Sequence, residues 1–326
     1  MRTKSFFAHN NAQGRTLLEL MVAMAIGLVI LASLGAVYVA TTSAGRQSTS
    51  TSRMNEDASI AFYLLGGGVR MAGYSPPLML VLPGGAIIDG VQKTAPDRNF
   101  VGAAIRGCDH GFVDARVASF TNLACQTADT TRSAALAIRF EGDGFNTTPI
   151  ANTSTTGAPP DATDCLNQRV PQNTPSALST IINDASKDKY ALVESRFTAS
   201  SGGSSETPEL KCGGNGGNSL FNPDPMTQFI ENMQMRYGVA KDGASRDVAQ
   251  YTTAAQVDAF SGGVDDRWSR VINVRICMVM RSQDKQAGVM NYIDCDGESV
   301  NSVDGYARRA FTTFYALRNR SGFLTP

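Results

Sequence analysis

Histidine is nearly absent: the 326 residues contain two, His9 and His110. His9 precedes a long apolar run, so a Ser-His-Asp or Cys-His mechanism would have to be built on His110. His110 stands in Cys108-Asp109-His110-Gly111, a loop-like context, and reads as a surface residue beside a cysteine. Gly-x-Ser-x-Gly, His-Glu-x-x-His and Walker motifs are missing. Cys-x-x-Cys is missing too, which leaves a zinc site without a donor set. Glu141-Gly142-Asp143-Gly144 and Asp294-Cys295-Asp296-Gly297-Glu298 offer carboxylates, but neither has the EF-hand spacing. An excess of one charge is also lacking, with 29 basic and 29 acidic residues. A general nucleic-acid surface would carry a basic excess. The one tryptophan, Trp268, opens an alternating run and reads as core or rim. The expectation is a protein with no catalytic residue, no metal, no cofactor and no nucleic-acid partner.

What the chain does have is one long apolar run. Leu20 to Ala40 is 21 residues without a charge. At about 1.5 Å per helical residue it crosses the roughly 30 Å hydrocarbon layer of a bilayer. An ordinary secretory signal is shorter and ends in a small-residue cleavage site. Here Ala23-Met24-Ala25 lies within the run and no such site follows it. Glu19 stands alone at the N-terminal edge, where a carboxylate near lipid calls for a partner or a function. Arg2, Lys4 and Arg15 precede it, and such basic residues favour the cytoplasmic side. The bulk of the chain then faces the opposite side.

Gly14 followed five residues later by Glu19, and then by the apolar run, resembles the class III signal of type IV pilins and pseudopilins. The resemblance implies that a prepilin peptidase removes residues 1–14 by cutting between Gly14 and Arg15. That loss leaves 27 basic against 29 acidic residues. The helix stays on the protein, spans the inner membrane and carries a periplasmic head. Glu19 is then expected to pair with the free amino terminus of a neighbouring subunit and to set axial register. The family usually has Phe after the scissile Gly, and this chain has Arg15, which leaves its N-methylation open. At i, i+4 spacing Arg15 either pairs with Glu19 or lies among lipid headgroups.

Six cysteines, Cys108, Cys125, Cys165, Cys212, Cys277 and Cys295, all follow the apolar run. An even count in an exported domain suggests disulfides. Six allow about 15 pairings, so connectivity is open; pairing neighbours gives Cys108–Cys125, Cys165–Cys212 and Cys277–Cys295.

The chain divides into a leader (1–14), a membrane or filament-core helix (15–40), its continuation (41–75) and a head (76–326). Met54, Ala58, Ala61 and Leu65 make an apolar helical stripe, while Gly66-Gly67-Gly68 weakens the helix and Gly73 with Pro76-Pro77 ends it. Phe229, Met233, Met235, Tyr237 and Val239 alternate with polar residues, as do Ile272, Val274, Ile276, Met278 and Met280. Both runs predict half-buried strands. Ala134 to Phe140, Tyr190 to Phe197 and Ala310 to Leu317 predict three more. Residues 142–188 and 198–226 are too polar for core and read as loops. The expected class is α+β, a long helix on an antiparallel sheet with long loops, which is also the fold of type IV pilins.

Arg70-Met71-Ala72-Gly73-Tyr74, the segments Ile230–Val239 and Trp268–Arg275, and Arg308-Arg309-Ala310-Phe311 resemble PilW-type minor pilins. That resemblance implies a part in pilus assembly, in a priming or tip complex. The implied partners are other minor pilins, the major pilin, the prepilin peptidase and the inner-membrane assembly machinery, with membrane lipid around the helix before assembly. Two alternatives remain open: a minor pseudopilin of a type II secretion system, and a tip adhesin with binding loops in 142–226.

Overall fold

The computed structural model describes residues 16–77, 86–88, 91–93, 98–100, 102–127, 133–151, 160–176, 189–200, 207–218, 220–241, 245, 247–285 and 290–319. The leader, Gly14 and Arg15 lie outside them. The chain divides after Thr51 into two compact units.

Helix α1, Leu17–Met71, runs through both units. Its first part has no buried residue before Met54. Thr41 to Ser52 is rich in Ser and Thr, which are mediocre helix formers. Here their hydroxyls bond back by one turn: Thr41 Oγ1 donates to Val37 O (2.9 Å), Thr49 to Gly45 O (3.0 Å) and Thr51 to Gln47 O (2.9 Å). The helix continues through a stretch whose composition argues weakly for it, with these hydroxyls satisfied on its own carbonyls.

The second unit is built from fourteen described strands. A four-stranded antiparallel sheet has the order β10-β9-β11-β14, with β9 Ile230–Ala240, β10 Val248–Thr252, β11 Val271–Lys285 and β14 Tyr306–Ala316. A second antiparallel sheet has the order β3-β4-β6-β7-β8, with β3 Ile105–Cys108, β4 Ala135–Gly142, β6 Lys189–Ser200, β7 Glu209–Gly214 and β8 Asp224–Gln228. The short β5, Thr174–Pro175, pairs with β6. Two hairpins complete the set: β1 Ala86–Ile88 with β2 Val91–Lys93, and β12 Met290–Ile293 with β13 Ser299–Ser302. Short helices α2, Ala254–Asp258, and α3, Val264–Ser269, lead into β11. The class is α+β, with two sheets rather than one.

One core joins the C-terminal part of α1 to both sheets. Met54, Ala58, Ala61, Leu65, Val69 and Ala72 pack in one cluster with Leu136 and Ile138 of β4, Phe197 of β6, Met233 and Met235 of β9, and Ile276, Met278 and Met280 of β11. The sheets are stitched where Ala134 N donates to Met233 O at 2.8 Å. Alternation in β9 and β11 places every second side chain in this core, as period-two patterning requires.

Three expectations change, and a fourth gains a packing reason. α1 runs through Gly66-Gly67-Gly68 to Met71, and two of these glycines fit packing partners. A Cβ on Gly66 would stand 2.5 Å from the Tyr315 ring, and one on Gly68 would stand 2.3 Å from Ile138 Cδ1. The cost of Gly in a helix is offset by the close approach it allows. Phe229 does not share the face of β9: its φ of 68° breaks the strand there, and Ile230 takes the buried place. Trp268 belongs to α3 rather than a strand. It is 1% exposed, its Nε1 donates to Asp258 Oδ1 (2.8 Å), and its ring meets Tyr237 edge-on at 5.0 Å. Residues 198–226 are not all loop, since they contain β7 and most of β8. Backbone pairing, with Leu210 and Cys212 buried, carries those polar strands.

Candidate assembly surface

Among the described residues the first unit presents an apolar helix surface with a carboxylate at its start. Leu17, Leu18, Leu20, Met21, Val22, Met24 and Ile26 are all more than half exposed or at half, and so are Leu28 to Leu31 and Val37 to Val39. The most apolar window has a mean hydropathy of 2.6 and no buried residue. A helix satisfies its own backbone groups, so such a surface suits lipid or other apolar helices. Ser33 removes its own polar group by donating to Ile30 O at 2.8 Å.

Glu19 is held by the helix start itself. Leu20 N donates to Thr16 O at 3.3 Å, which makes Thr16 the N-cap. Glu19 N donates to Thr16 Oγ1 (3.4 Å), and Thr16 N donates to Glu19 Oε2 (3.3 Å). This is a reciprocal capping box, Thr-x-x-Glu, which satisfies two donors otherwise left open. Both bonds lie at or beyond the long end of the usual N–H···O range. The sequence carries the signature of this box as Thr16-Leu17-Leu18-Glu19.

In the second unit the six cysteines form three disulfides, Cys108–Cys125, Cys165–Cys212 and Cys277–Cys295. The first ties the end of β3 to a nearby loop, and the second ties the segment after Asp164 to β7. The third pins the loop between β12 and β13 to β11, burying Cys277, Val279 and Cys295 together.

The other sequence candidates have structural employment. Asp109 accepts from Ala254 N and Ala255 N at 2.9 and 3.0 Å, capping α2 beside His110. Asp143 Oδ1 accepts from Phe145 N and Asn146 N, and Asp294 Oδ1 from Asp296 N and Glu298 N. These carboxylates close turns. Among the described residues no group of three or more His, Cys, Asp or Glu side chains could hold a metal.

Charged pairs inside the head were not foreseen. Arg196, 1% exposed, meets Glu194 at 2.7 Å, the carbonyls of Ala115 and Val117 at 2.6 Å each, and the face of Phe221. Burial pushes Glu194 up and Arg196 down, and their mutual attraction opposes both shifts. Arg308 Nη2 meets Glu231 Oε1 at 2.7 Å and Asp304 Oδ2 at 2.6 Å. The Arg308 hydrogen bonds hold Asp304 far below the usual carboxylate range. Of these, Glu194 and Arg196 are buried, which the sequence pattern does not reveal.

Comparison with known families meets the chain at both ends. A family profile described as prokaryotic N-terminal methylation motif matches residues 9–35. One described as type IV pilus-assembly protein W matches residues 196–319, from β6 to the end of β14. Among solved structures the chain is similar to a type IV-like pilin from Thermus thermophilus, with 9% identity, a TM-score of 0.38, and coverage of 82% of this chain and 97% of that one. No curated protein matches. The methylation motif on the apolar helix and the PilW match across the C-terminal sheet support a type IV pilin-like protein, a minor pilin of the PilW type in type IV pilus assembly.

Proposed function

We propose that the protein enters the inner membrane as a single-pass precursor with a cytoplasmic leader and a periplasmic head. The prepilin peptidase cuts between Gly14 and Arg15. The apolar helix then leaves lipid for a bundle with the helices of the major pilin and other minor pilins, driven by the assembly machinery. Its place is the priming or tip complex that starts the filament. Its work is packing and pairing rather than catalysis.

The observation that carries this reading is the unburied apolar surface of α1 with Glu19 at its head. In a low-dielectric bundle a carboxylate without a partner is costly, so a register that gives Glu19 a neighbour's amino terminus is favoured over one that does not. Among the described residues Glu19 makes the long capping-box bonds, which a charged partner can outcompete.

Glu19→Gln separates the two roles. Glutamine also serves at the third position of a capping box, so the variant should insert and be cleaved normally. It should nevertheless enter pili at least about tenfold less than wild type, the loss expected for one charged hydrogen bond. Immunoblots of sheared pili provide the measurement, and wild-type incorporation would remove the register mechanism. Mass spectrometry of the mature chain should find its N-terminus at Arg15; an intact Met1 would overturn the processing step.

A further inference from the structure

On the outer face of the four-stranded sheet, opposite the side that joins the α1 core, the pinned β12–β13 hairpin packs over the half around Cys277 and Val279. Register sets the side chains of the other half in rows. Phe314 lies opposite Arg275, and Arg275 lies opposite Arg236. In the next row Asn273 lies opposite Gly238, and Gly238 opposite Tyr251. The Tyr251 ring crosses Gly238, where a Cβ would stand 3.2 Å from its Cε1. Its hydroxyl donates to Asn273 Oδ1 at 3.2 Å. The ring meets Phe314 edge-on, with centroids 6.0 Å apart. Two aromatic rings thus reach toward each other over β9 and β11, and yet Tyr251 is 46% and Phe314 55% exposed.

The arginines beside them are unequally served. Arg236 meets Asp296 at 3.5 Å, and Asp296 also accepts from Gln234 at 3.0 Å. Asp294 closes its own turn. Arg275 is half-buried and has no hydrogen bond, ion pair or ring contact with any described residue. It lines a hollow of about 260 Å³ together with Arg236, Gln234, Thr312, Asp294 and Asp296. Both carboxylates lie on the hairpin side, so the aromatic side keeps one guanidinium without an acid.

Exposed Tyr and Phe on a rigid sheet beside an arginine are the composition of interface centres. We propose that this face docks a segment of another pilus subunit, one that sets a carboxylate on Arg275 and an apolar side chain on the Tyr251–Phe314 pair. The proposal rests on the assembly reading above. Charge complementarity selects the occupant. A nucleic acid needs a row of cations, and here one is unmatched. A second copy meeting the same face brings two unmatched cations together and supplies neither with an acid.

The test replaces Phe314 with photoreactive benzoylphenylalanine in cells that assemble pili, followed by irradiation and mass spectrometry of the cross-linked peptides. The expected product joins position 314 to another pilus subunit within about three residues of an Asp or Glu, the reach of adjacent side chains along a segment. Arg275→Glu should lower its yield by about tenfold or more, and reversing the partner's acid to Lys should restore it. The melting profile of Arg275→Glu, recorded in detergent, checks that the head remains folded. No protein cross-link, a cross-link to a second copy or to nucleic acid, or a yield indifferent to Arg275→Glu overturns the docking. If the protein is also missing from wild-type pili, the assembly reading fails; if it is present there, only the docking does.

Discussion

At the residue scale, adjacent glycines of α1 make opposite predictions. Gly66 lies under the Tyr315 ring, while a Cβ on Gly67 would meet nothing within 4 Å. Gly66→Ala should destabilise the head by about 1–3 kcal/mol through overpacking. Gly67→Ala should stabilise it by up to about 1 kcal/mol, the helix propensity gained. Urea unfolding of the two variants checks the pair; equal shifts would refute the packing account. This contrast was illegible in Gly66-Gly67-Gly68, because three identical letters do not say which faces a ring. Glu19 was legible for the opposite reason: a lone acid at the edge of a 21-residue uncharged run stands out without any fold. Phe229 misled because its parity fits β9, and parity is blind to a positive φ.

At the element scale, the long strands were readable and the polar ones were not. β9 and β11 alternate because one face meets the core. β7 alternates only over Glu209–Cys212 and β8 not at all, and both are strands through their pairing with neighbours. The β12–β13 hairpin was equally silent, and a charged cluster helps to hold it. Arg308 of β14 joins Glu231 of β9 to Asp304, which follows β13, and Ser302 Oγ donates to Asp304 Oδ1 at 2.6 Å. With Asp304 depressed in the fold, the unfolded chain takes up its proton first, at about pH 4. This stabilisation is complete above that pH and is lost as pH falls through the depressed value. Asp304→Asn should therefore flatten the acid limb of stability between about pH 4 and 2. Unfolding midpoints of variant and wild type across that range check it, and parallel limbs would show that Asp304 is not the coupled group.

At the scale of the whole molecule, the chain divides after Thr51 into two compact units. Every buried residue of α1 lies at Met54 or beyond, so the head draws its helical packing from its own side of the boundary. A fragment of residues 52–326 should be soluble without detergent and unfold cooperatively, whereas the full chain should need detergent. Size-exclusion chromatography and a thermal melt decide this, and aggregation of the fragment would mean that the head depends on the apolar half. The notch at Gly66 then has a mechanical consequence. Tyr315 fills it, donates to Phe62 O at 2.7 Å and sits where a side chain would otherwise be. A pull along α1 cannot slide the helix past the sheet until that ring climbs out of its notch. Within the head the contact is a detent, and it is loaded in shear along α1.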